Sequence, residues 1–190
     1  MDAVTIKSFY QNLPRLETDR LILRQAAPGD AQDIYAYASD ADVTRFLRWG
    51  PHRILADTEK YLQEVLEEYA QGRDGPWVIE LKSGHTVIGH IHLMDIDPQD
   101  RKAQVGFALA KAYWSQGIMT EALTQVLQFV FTQFGLDRVE AWPIRENRAA
   151  VRVLEKAGMH PEGEPRAELQ KGALWDFCLY AIRRSEYSLV

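Results

Sequence analysis

The segment Ala103–Leu123, AQVGFALAKAYWSQGIMTEAL, constrains the fold more than any other part of the chain. An apolar strand pattern runs into an aromatic pair, then a short loop centred on Gly117, and then a strongly amphipathic helix. A helix N-terminus presents unpaired backbone N–H groups and the positive end of the helix dipole, and glycine lets the backbone come close to a ligand. The pattern therefore predicts a site for an anionic phosphate group at this loop.

The rest of the chain supplies further strands and helices that can pack against this strand, loop and helix. The helix after Gly117 keeps one apolar face as far as Phe134, and Gly135 is placed to end it. Arg138–Trp142 follows as a strand, so Ala103–Trp142 predicts a right-handed parallel crossover. Other strands are predicted over Leu21–Arg24, Trp77–Leu81, Thr86–Ile96, Met159–Arg166 and Trp175–Ile182. These elements predict an α+β fold, with a mixed and mostly antiparallel sheet flanked by helices.

Length, charge and cysteine content limit the class of protein. The chain has 190 residues, which suits one domain over residues 1–190. Its formal charge of −5 argues against non-specific nucleic-acid binding. No apolar run approaches the ~20 residues that span a bilayer, and the N-terminal segment lacks the apolar core of a signal peptide. Cys178 is the only cysteine, so an internal disulfide is impossible. We therefore expect a cytoplasmic protein without a membrane or nucleic-acid partner.

A second segment, Arg138–Met159, has the order strand, turn and helix. Asn147 lies in the turn, and Gly158 is placed to end the helix. Taken alone, Asn147 is best interpreted as the N-cap of that helix, because its side chain can accept a hydrogen bond from a first-turn amide.

These pieces in this order resemble the GNAT acyl-CoA N-acyltransferases, and in particular the RimJ/RimL-like branch that acetylates ribosomal-protein N-termini. The diphosphate loop of the family, Q/R-x-x-G-x-G/A, corresponds to Trp114–Met119, where Gly117 is the strict match. The form typical of the branch, Y-W-G-x-G-x-x-T-E-A, matches at Tyr113-Trp114 and at Thr120-Glu121-Ala122, while Ser115 stands where the branch has glycine. The resemblance extends from about Arg15 to Tyr187.

The resemblance implies the GNAT fold, with acetyl-CoA as the acyl donor. It implies that backbone amides of the loop bind the diphosphate, namely those of Ser115, Gln116, Gly117, Ile118, Met119 and Thr120. It also implies that the strand before the loop splays away from Arg138–Trp142, so that Phe107, Ala108 and Leu109 face the pantetheine arm. Asn147 would touch the cofactor or brace the splayed strand. Arg145, Arg148 and Arg152 would meet the 3′-phosphate, or would simply form a solvated basic face.

Three residues that relatives use near the reaction are replaced in this chain. Leu154, Ala150 and Gln104 stand where relatives carry a tyrosine, a serine and a glutamate. The ionisable residues that remain are Glu121, His90, His92, Asp95, Glu140 and Asp176. We expect Glu121 to be structural, because it lies near the positive end of a helix dipole. His92, near the centre of a long strand, is the candidate proton acceptor. His90 and His92 could together ligate a metal, but no third ligand is evident, and no metal is expected.

The resulting hypothesis is an N-acetyltransferase that acts on a primary amine. The acceptor would be the N-terminal α-amino group of a ribosomal or other protein, and Phe46, Leu47, Trp49 and Trp175 are candidates for the wall of its site. Two alternatives are open: an enzyme for a small-molecule amine such as a polyamine, amino acid or antibiotic, and an acyl-CoA-binding protein without catalysis. The protein would be a monomer or a homodimer.

Overall fold

The structure of the protein is a computed structural model that describes residues 3–187. The helices are α1 Ala3–Gln11, α2 Ala31–Ala38, α3 Ala41–Thr44, α4 Leu55–Gln71, α5 Ile118–Phe129 and α6 Arg148–Lys156. The strands are β1 Leu16–Glu17, β2 Leu21–Arg24, β3 Trp77–Leu81, β4 Val87–Asp97, β5 Lys102–Leu109, β6 Arg138–Ala141, β7 His160–Gln170 and β8 Ala173–Arg183.

All the strands belong to one eight-stranded sheet, in the order β1-β2-β3-β4-β5-β6-β8-β7. Every neighbouring pair is antiparallel except β5 and β6, which α5 connects as a parallel crossover. The predicted α+β class, the mostly antiparallel sheet and the parallel crossover are therefore confirmed. Strands β3, β4 and β5 form an antiparallel meander. The last two strands are longer than predicted and form a hairpin that turns at Lys171 and Gly172.

The middle of the sheet opens where β5 and β6 separate. The two strands pair only over Lys102↔Arg138, Ala103↔Val139 and Gln104↔Glu140. Beyond Gln104, β5 keeps β4 as its partner, with pairing that continues to Leu109, but it has no paired neighbour on the β6 side. The predicted splay is thus present, and it leaves Phe107–Leu109 without a strand partner on that side, where another hydrogen-bonding group could pair. The Leu109 carbonyl already accepts from Nε1 of Trp114 at 2.8 Å.

The core lies on both faces of the sheet. On one face α5 buries Leu123 and Leu127 completely, and Phe9 from α1 packs against Trp77 and Phe129 with ring centroids 5.6 and 6.1 Å apart. This apolar face explains why the Gly117–Phe134 segment is helical. After α5 the chain makes a π-helical turn over Val130–Phe134, which ends at Gly135 with a φ of +90°. On the other face α2 packs against β4, and α4 packs against α2.

Gly89 allows β4 and β5 to approach closely beside the open edge. A Cβ atom at this position would fall closer to the carbonyl oxygen of Ala108 than real Cβ contacts allow. The missing side chain therefore sets where the end of β5 lies relative to β4.

Candidate active site

The loop before α5 has the backbone geometry of an anion site. Gly117 is the N-cap of α5 with a φ of +76°, and Ser115 also has a positive φ, of +61°. The amide of Glu121 makes the first helical hydrogen bond, to the Gly117 carbonyl at 3.0 Å. The amides of Ile118, Met119 and Thr120 precede that bond, so the helix itself offers them no acceptor. These donors lie at the positive end of the helix dipole.

A cleft of about 550 Å³ joins this loop to the open edge of β5 and to the start of α6. It contains every residue that was predicted to bind the cofactor except Gln116 and Arg145. The residues that line it are Asp42, Val43, Phe46, Leu47, Phe107, Ala108, Leu109, Tyr113, Trp114, Ser115, Gly117, Ile118, Met119, Thr120, Glu146, Asn147, Arg148, Ala149, Ala150, Arg152, Val153 and Lys156. Gln116 faces elsewhere: its Nε2 donates to the Ala112 carbonyl at 2.8 Å, and its own carbonyl accepts from Arg20 at 3.2 Å.

A second groove, of about 810 Å³, also touches Gly117 and Thr120. Its lining includes three carboxylates, those of Glu17, Asp19 and Glu121. The groove sets these three carboxylates against one cation, Lys156, whereas the cleft has three cations and the carboxylates of Asp42 and Glu146. The electrostatics therefore favour the cleft on the β5 side for a diphosphate.

The α6 helix closes the cleft with a cap and a basic face. The Asn147 Oδ1 atom accepts from the Ala150 amide at 3.2 Å, so the predicted N-cap is confirmed. Arg148, Arg152 and Lys156 all line the cleft, and they follow one another at intervals of four residues along one side of the helix. An acidic protein thereby presents a local positive surface beside the loop.

His92 lies on the face of β4 away from α5 and does not line the cleft. Its Nε2 atom is 2.6 Å from a carboxylate oxygen of Asp74, in the connection between α4 and β3. This contact places the proton of a neutral imidazole on Nε2 and leaves Nδ1 as the acceptor. In the register of the sheet, His92 is opposite Gly106, two pairs away from the His90↔Ala108 pair at the predicted pantetheine edge.

His90 is more enclosed than His92. Its Nδ1 atom is 3.1 Å from the hydroxyl of Tyr37, and its ring lies 6.4 Å from that of Trp49. Burial, with a smaller contribution from the nearby His92, lowers the pKa of His90 to about 3. The imidazole is therefore neutral at physiological pH.

Three other ionisable candidates, Glu121, Glu140 and Asp176, make structural contacts. Burial alone would raise the pKa of Glu121, but hydrogen bonds from Thr18 and Arg20 outweigh it and hold the pKa below its usual value. Glu121 is thus structural, as predicted. The carboxylates of Glu140 and Asp176 lie 2.7 Å from Arg138 and 3.6 Å from Arg145. Leu154 is buried in the core.

The predicted acceptor wall is brought together from distant parts of the chain. The rings of Phe46 and Trp175 meet edge to face at 5.6 Å. Lys171, at the turn of the β7–β8 hairpin, donates to the carbonyls of Thr44 and Trp49 at 2.7 and 3.1 Å. The hairpin therefore holds the segment after α3 against the mouth of the cleft.

Sequence reasoning missed several residues that line the cleft. Lys156 could have been found by continuing the four-residue interval from Arg148 and Arg152. Asp42, Val43 and Glu146 carry no comparable signal, because the tertiary fold alone brings α3 beside β5. Within residues 3–187, no three His, Cys, Asp or Glu side chains are grouped as a metal site requires. Over the same residues, no helix has both the length and the apolarity needed to cross a bilayer.

Comparison with known proteins identifies the family. The profile of the family described as acetyltransferase (GNAT) domain matches residues 20–160. The chain belongs to the GNAT acetyltransferase family. As a member of the family it is an enzyme, an acetyltransferase that uses acetyl-CoA as acyl donor.

Relatives and solved structures agree with this assignment. The uncharacterized N-acetyltransferase YoaA of Bacillus subtilis is 32% identical over 170 residues, which cover 89% of this chain and 96% of YoaA. The GNAT fold is shared with RimL, a ribosomal L7/L12 alpha-N-protein acetyltransferase in complex with coenzyme A, at a TM-score of 0.78 and 20% identity over 90% and 98% of the two chains. It is shared equally with spermidine N-acetyltransferase of Vibrio cholerae in complex with CoA and spermine, at a TM-score of 0.74 and 21% identity over 89% and 98%.

Proposed function

We propose that this GNAT enzyme transfers an acetyl group to a primary amine, and that the acceptor is the N-terminal α-amino group of a ribosomal or other protein. The observation that carries the proposal is the cleft, which runs from the N-terminus of α5 along the open edge of β5 to the aromatic wall at Phe46. We further propose that the protein acts in the cytoplasm, as a monomer or a homodimer, with residues 1–190 as one domain.

The proposed donor site follows from the distribution of charge in the cleft. The amides of Ser115–Thr120 would bind the diphosphate, and the peptide-like pantetheine arm would pair with the open edge at Phe107, Ala108 and Leu109. Asn147 would contact the cofactor from α6. Arg148, Arg152 and Lys156 would offer positive charge to the remaining phosphate.

The proposed reaction is direct transfer without a covalent enzyme intermediate. The amine nitrogen attacks the thioester carbonyl, which forms the C–N bond, and collapse of the tetrahedral intermediate breaks the C–S bond. The nitrogen loses one proton to a base, and the sulfur leaves as thiolate and gains a proton. A backbone N–H at the end of β5 would stabilise the charge on the carbonyl oxygen.

We propose that Nδ1 of His92 accepts the proton from the amine, directly or through water. The carboxylate of Asp74 supports this role, because it orients the ring and fixes Nε2 as the protonated nitrogen. His90 is a weaker candidate, since its low pKa makes it a poor base.

A polyamine is the second candidate acceptor. The carboxylates of Asp42 and Glu146 both line the cleft, and a substrate with several ammonium groups would be attracted to them. The Vibrio cholerae relative, which shares the fold, is named for spermidine and was solved with spermine.

Turnover against matched amines tests the proposal. Release of free CoA thiol from acetyl-CoA would be followed with a peptide whose N-terminus is free, with the same peptide N-terminally blocked but retaining a lysine, and with spermidine. Thiol release with the free peptide alone supports the α-amino acceptor. Release with spermidine alone supports the polyamine enzyme. Release with the blocked peptide would contradict both, since it would place the reaction on a lysine side chain.

A further inference from the structure

Arg20, which is distant from the cleft in sequence, is bound to the loop that carries the diphosphate amides. It stands between β1 and β2, and its Nη1 atom donates to the carbonyl of Gln116 at 3.2 Å. Its Nε and Nη2 atoms lie 2.7 and 2.6 Å from one carboxylate oxygen of Glu121, in the first turn of α5. One guanidinium therefore holds the loop and the helix that follows it at the same time.

Glu121 is itself held from the other side. Its second carboxylate oxygen accepts from the hydroxyl of Thr18 at 2.5 Å and from the amide of Arg20 at 3.3 Å. These contacts fix the position of the first turn of α5 relative to the β1–β2 connection. A guanidinium bound to a carboxylate through two donors is directional, so it restrains orientation as well as distance.

The loop needs such a restraint because its backbone is unusual. Ser115 and Gly117 both have positive φ, on either side of Gln116, and only glycine adopts that region without cost. Successive N–H groups in a turn of this kind form a concave anion site. The bond from Arg20 holds the Gln116 carbonyl, and this bond opposes relaxation of the loop into a form in which those amides diverge.

Arg20 does not line the cleft, and its donors point to protein oxygens behind the loop. We propose that Arg20 is a positioning residue for acetyl-CoA, which acts through the Gln116 carbonyl and Glu121 to keep the amides of the loop convergent on the diphosphate. The proposal rests on the donor site proposed above.

The chain offers a matched control at the other end of the same helical segment. Arg101 donates from Nε and Nη2 to the carbonyl of Gly135, at 2.9 and 2.6 Å, where the segment ends. It also lies 3.2 Å from the carboxylate of Asp137. Arg101 and Arg20 thus make similar contacts to a carbonyl and a carboxylate, but only Arg20 is bound to the loop beside the cleft.

The first experiment compares Arg20→Met with Arg101→Met by calorimetric titration with CoA. We expect Arg20→Met to weaken CoA binding about tenfold, because hydrogen bonds to charged groups are lost from the loop. Arg101→Met should lose comparable thermal stability with unchanged CoA affinity. Hydrogen exchange of a peptide covering residues 110–121 should accelerate in Arg20→Met alone. Equal CoA affinity in the two variants would overturn the proposal.

Arg20→Lys separates positioning from attraction between charges. Lysine keeps the positive charge and a contact to Glu121, but it lacks the fork that reaches the Gln116 carbonyl at the same time. We expect Arg20→Lys to recover stability while the KM for acetyl-CoA stays raised and kcat stays close to that of the native enzyme. Native CoA affinity in Arg20→Lys would show that charge alone is sufficient, and would overturn the positioning role.

A third variant separates failure of this inference from failure of the donor site. Gly117→Asp places a carboxylate at the loop itself. If Gly117→Asp abolishes CoA binding while Arg20→Met behaves like Arg101→Met, the donor site stands and the positioning role is overturned. If Gly117→Asp also leaves CoA affinity unchanged, the donor site itself is wrong, and the inference fails with it.

Discussion

At the scale of single residues, the two imidazoles of β4 differ in what surrounds them. Both point to the face away from α5, two residues apart on the same strand. His90 contacts the hydroxyl of Tyr37 and the ring of Trp49, whereas His92 contacts the carboxylate of Asp74. An acidic partner supports a role in proton transfer, and an enclosed neutral ring supports packing, so the two residues should respond differently to substitution.

Substitution of His92 by glutamine tests its role as proton acceptor. Glutamine keeps much of the size but cannot titrate, so we expect kcat to fall by ~100- to 10,000-fold while CoA affinity is unchanged. Because glutamine cannot exchange a proton, the pH–rate profile of the variant should differ from that of the native enzyme. Asp74→Asn should lower kcat less, because it removes only the orienting charge.

A small loss of rate with an unchanged pH profile would exclude His92. In that case water would accept the proton from the amine. Asp176 would then be the next residue to substitute in a test for a proton acceptor.

His90 predicts a pH dependence of folding rather than of rate. Its pKa is about 3 in the folded protein and about 6.5 in an unfolded chain. Between these values the unfolded chain binds the extra proton, so stability is complete above pH 6.5 and declines as the pH falls toward 3. The slope from this one group reaches about 1.4 kcal/mol per pH unit.

Urea unfolding of His90→Gln between pH 7 and pH 5 measures that slope. We expect a smaller decline than in the native protein. His160→Gln, at an exposed position at the start of β7, is the matched control and should keep the native slope. A native slope in His90→Gln would show that its ring is not the group responsible.

At the scale of elements, α6 has a cap that also lines the cleft. Asn147→Ala removes the hydrogen bond to the Ala150 amide, and loss of an N-cap costs about 1 kcal/mol of stability. If Asn147 also contacts CoA, the Asn147→Ala variant should bind CoA more weakly than the native protein as well. Asp57→Ala is the control, because Asp57 accepts from the amides of Arg53 and Ile54 at the start of α4, whose helical residues do not line the cleft.

Calorimetric titration of both variants with CoA, beside their urea unfolding, distinguishes the two roles. Equal loss of stability with loss of CoA affinity only in Asn147→Ala supports contact with the cofactor. Native CoA affinity in Asn147→Ala would leave capping as its whole role.

A helix or strand could be predicted where a local sequence pattern specifies it. The α5 helix could be predicted because its apolar residues repeat at helical spacing up to Phe134, but the π-helical turn over Val130–Phe134 could not, since it buries the same side chains. The α1 helix was not predicted, although Ile6, Phe9, Tyr10 and Leu13 have the spacing of one helical face. The donor loop was predicted from Gly117 and the helix that follows it.

Contacts between residues that are far apart in the sequence could not be predicted from local sequence patterns. Asp74 and His92 are 18 residues apart, and Arg20 and Gln116 are 96 apart. Each pair depends on sheet register and helix placement, which no local pattern specifies. The sequence alone could therefore indicate His92 as a candidate proton acceptor. It could not show that Asp74 is the partner of His92, or that His92 does not line the cleft.

At the scale of the whole molecule, the cleft collects residues from α3, β5 and α6, on both sides of the opening in the sheet. A ligand bound there stabilises the folded protein, because the unfolded chain has no such site. At a concentration 100 times its Kd, CoA adds about 2.7 kcal/mol, which raises the Tm of a domain of this size by roughly 5–10 °C.

Gly117→Asp and Gly117→Asn test whether this stabilisation depends on charge at the loop. A Cβ at Gly117 would meet no atom closer than Nη2 of Arg20, at 3.7 Å, and both residues tolerate positive φ. We expect CoA to raise the Tm of the Asn variant and not that of the Asp variant, in thermal unfolding with and without the ligand. Equal shifts in the two variants would show that the diphosphate lies elsewhere.

The opening between β5 and β6 has a consequence for how such an enzyme diverges. Under the proposed function, the donor would be met by main-chain groups of β5 and of the loop, which stay in place whatever side chains those positions carry. The acceptor would be met by side chains, among them Phe46 on the segment after α3 and Trp175 on β8, whose rings meet at 5.6 Å. We expect duplicated copies of this gene to inherit the donor with the fold and to acquire new amine substrates through a few substitutions around the acceptor wall.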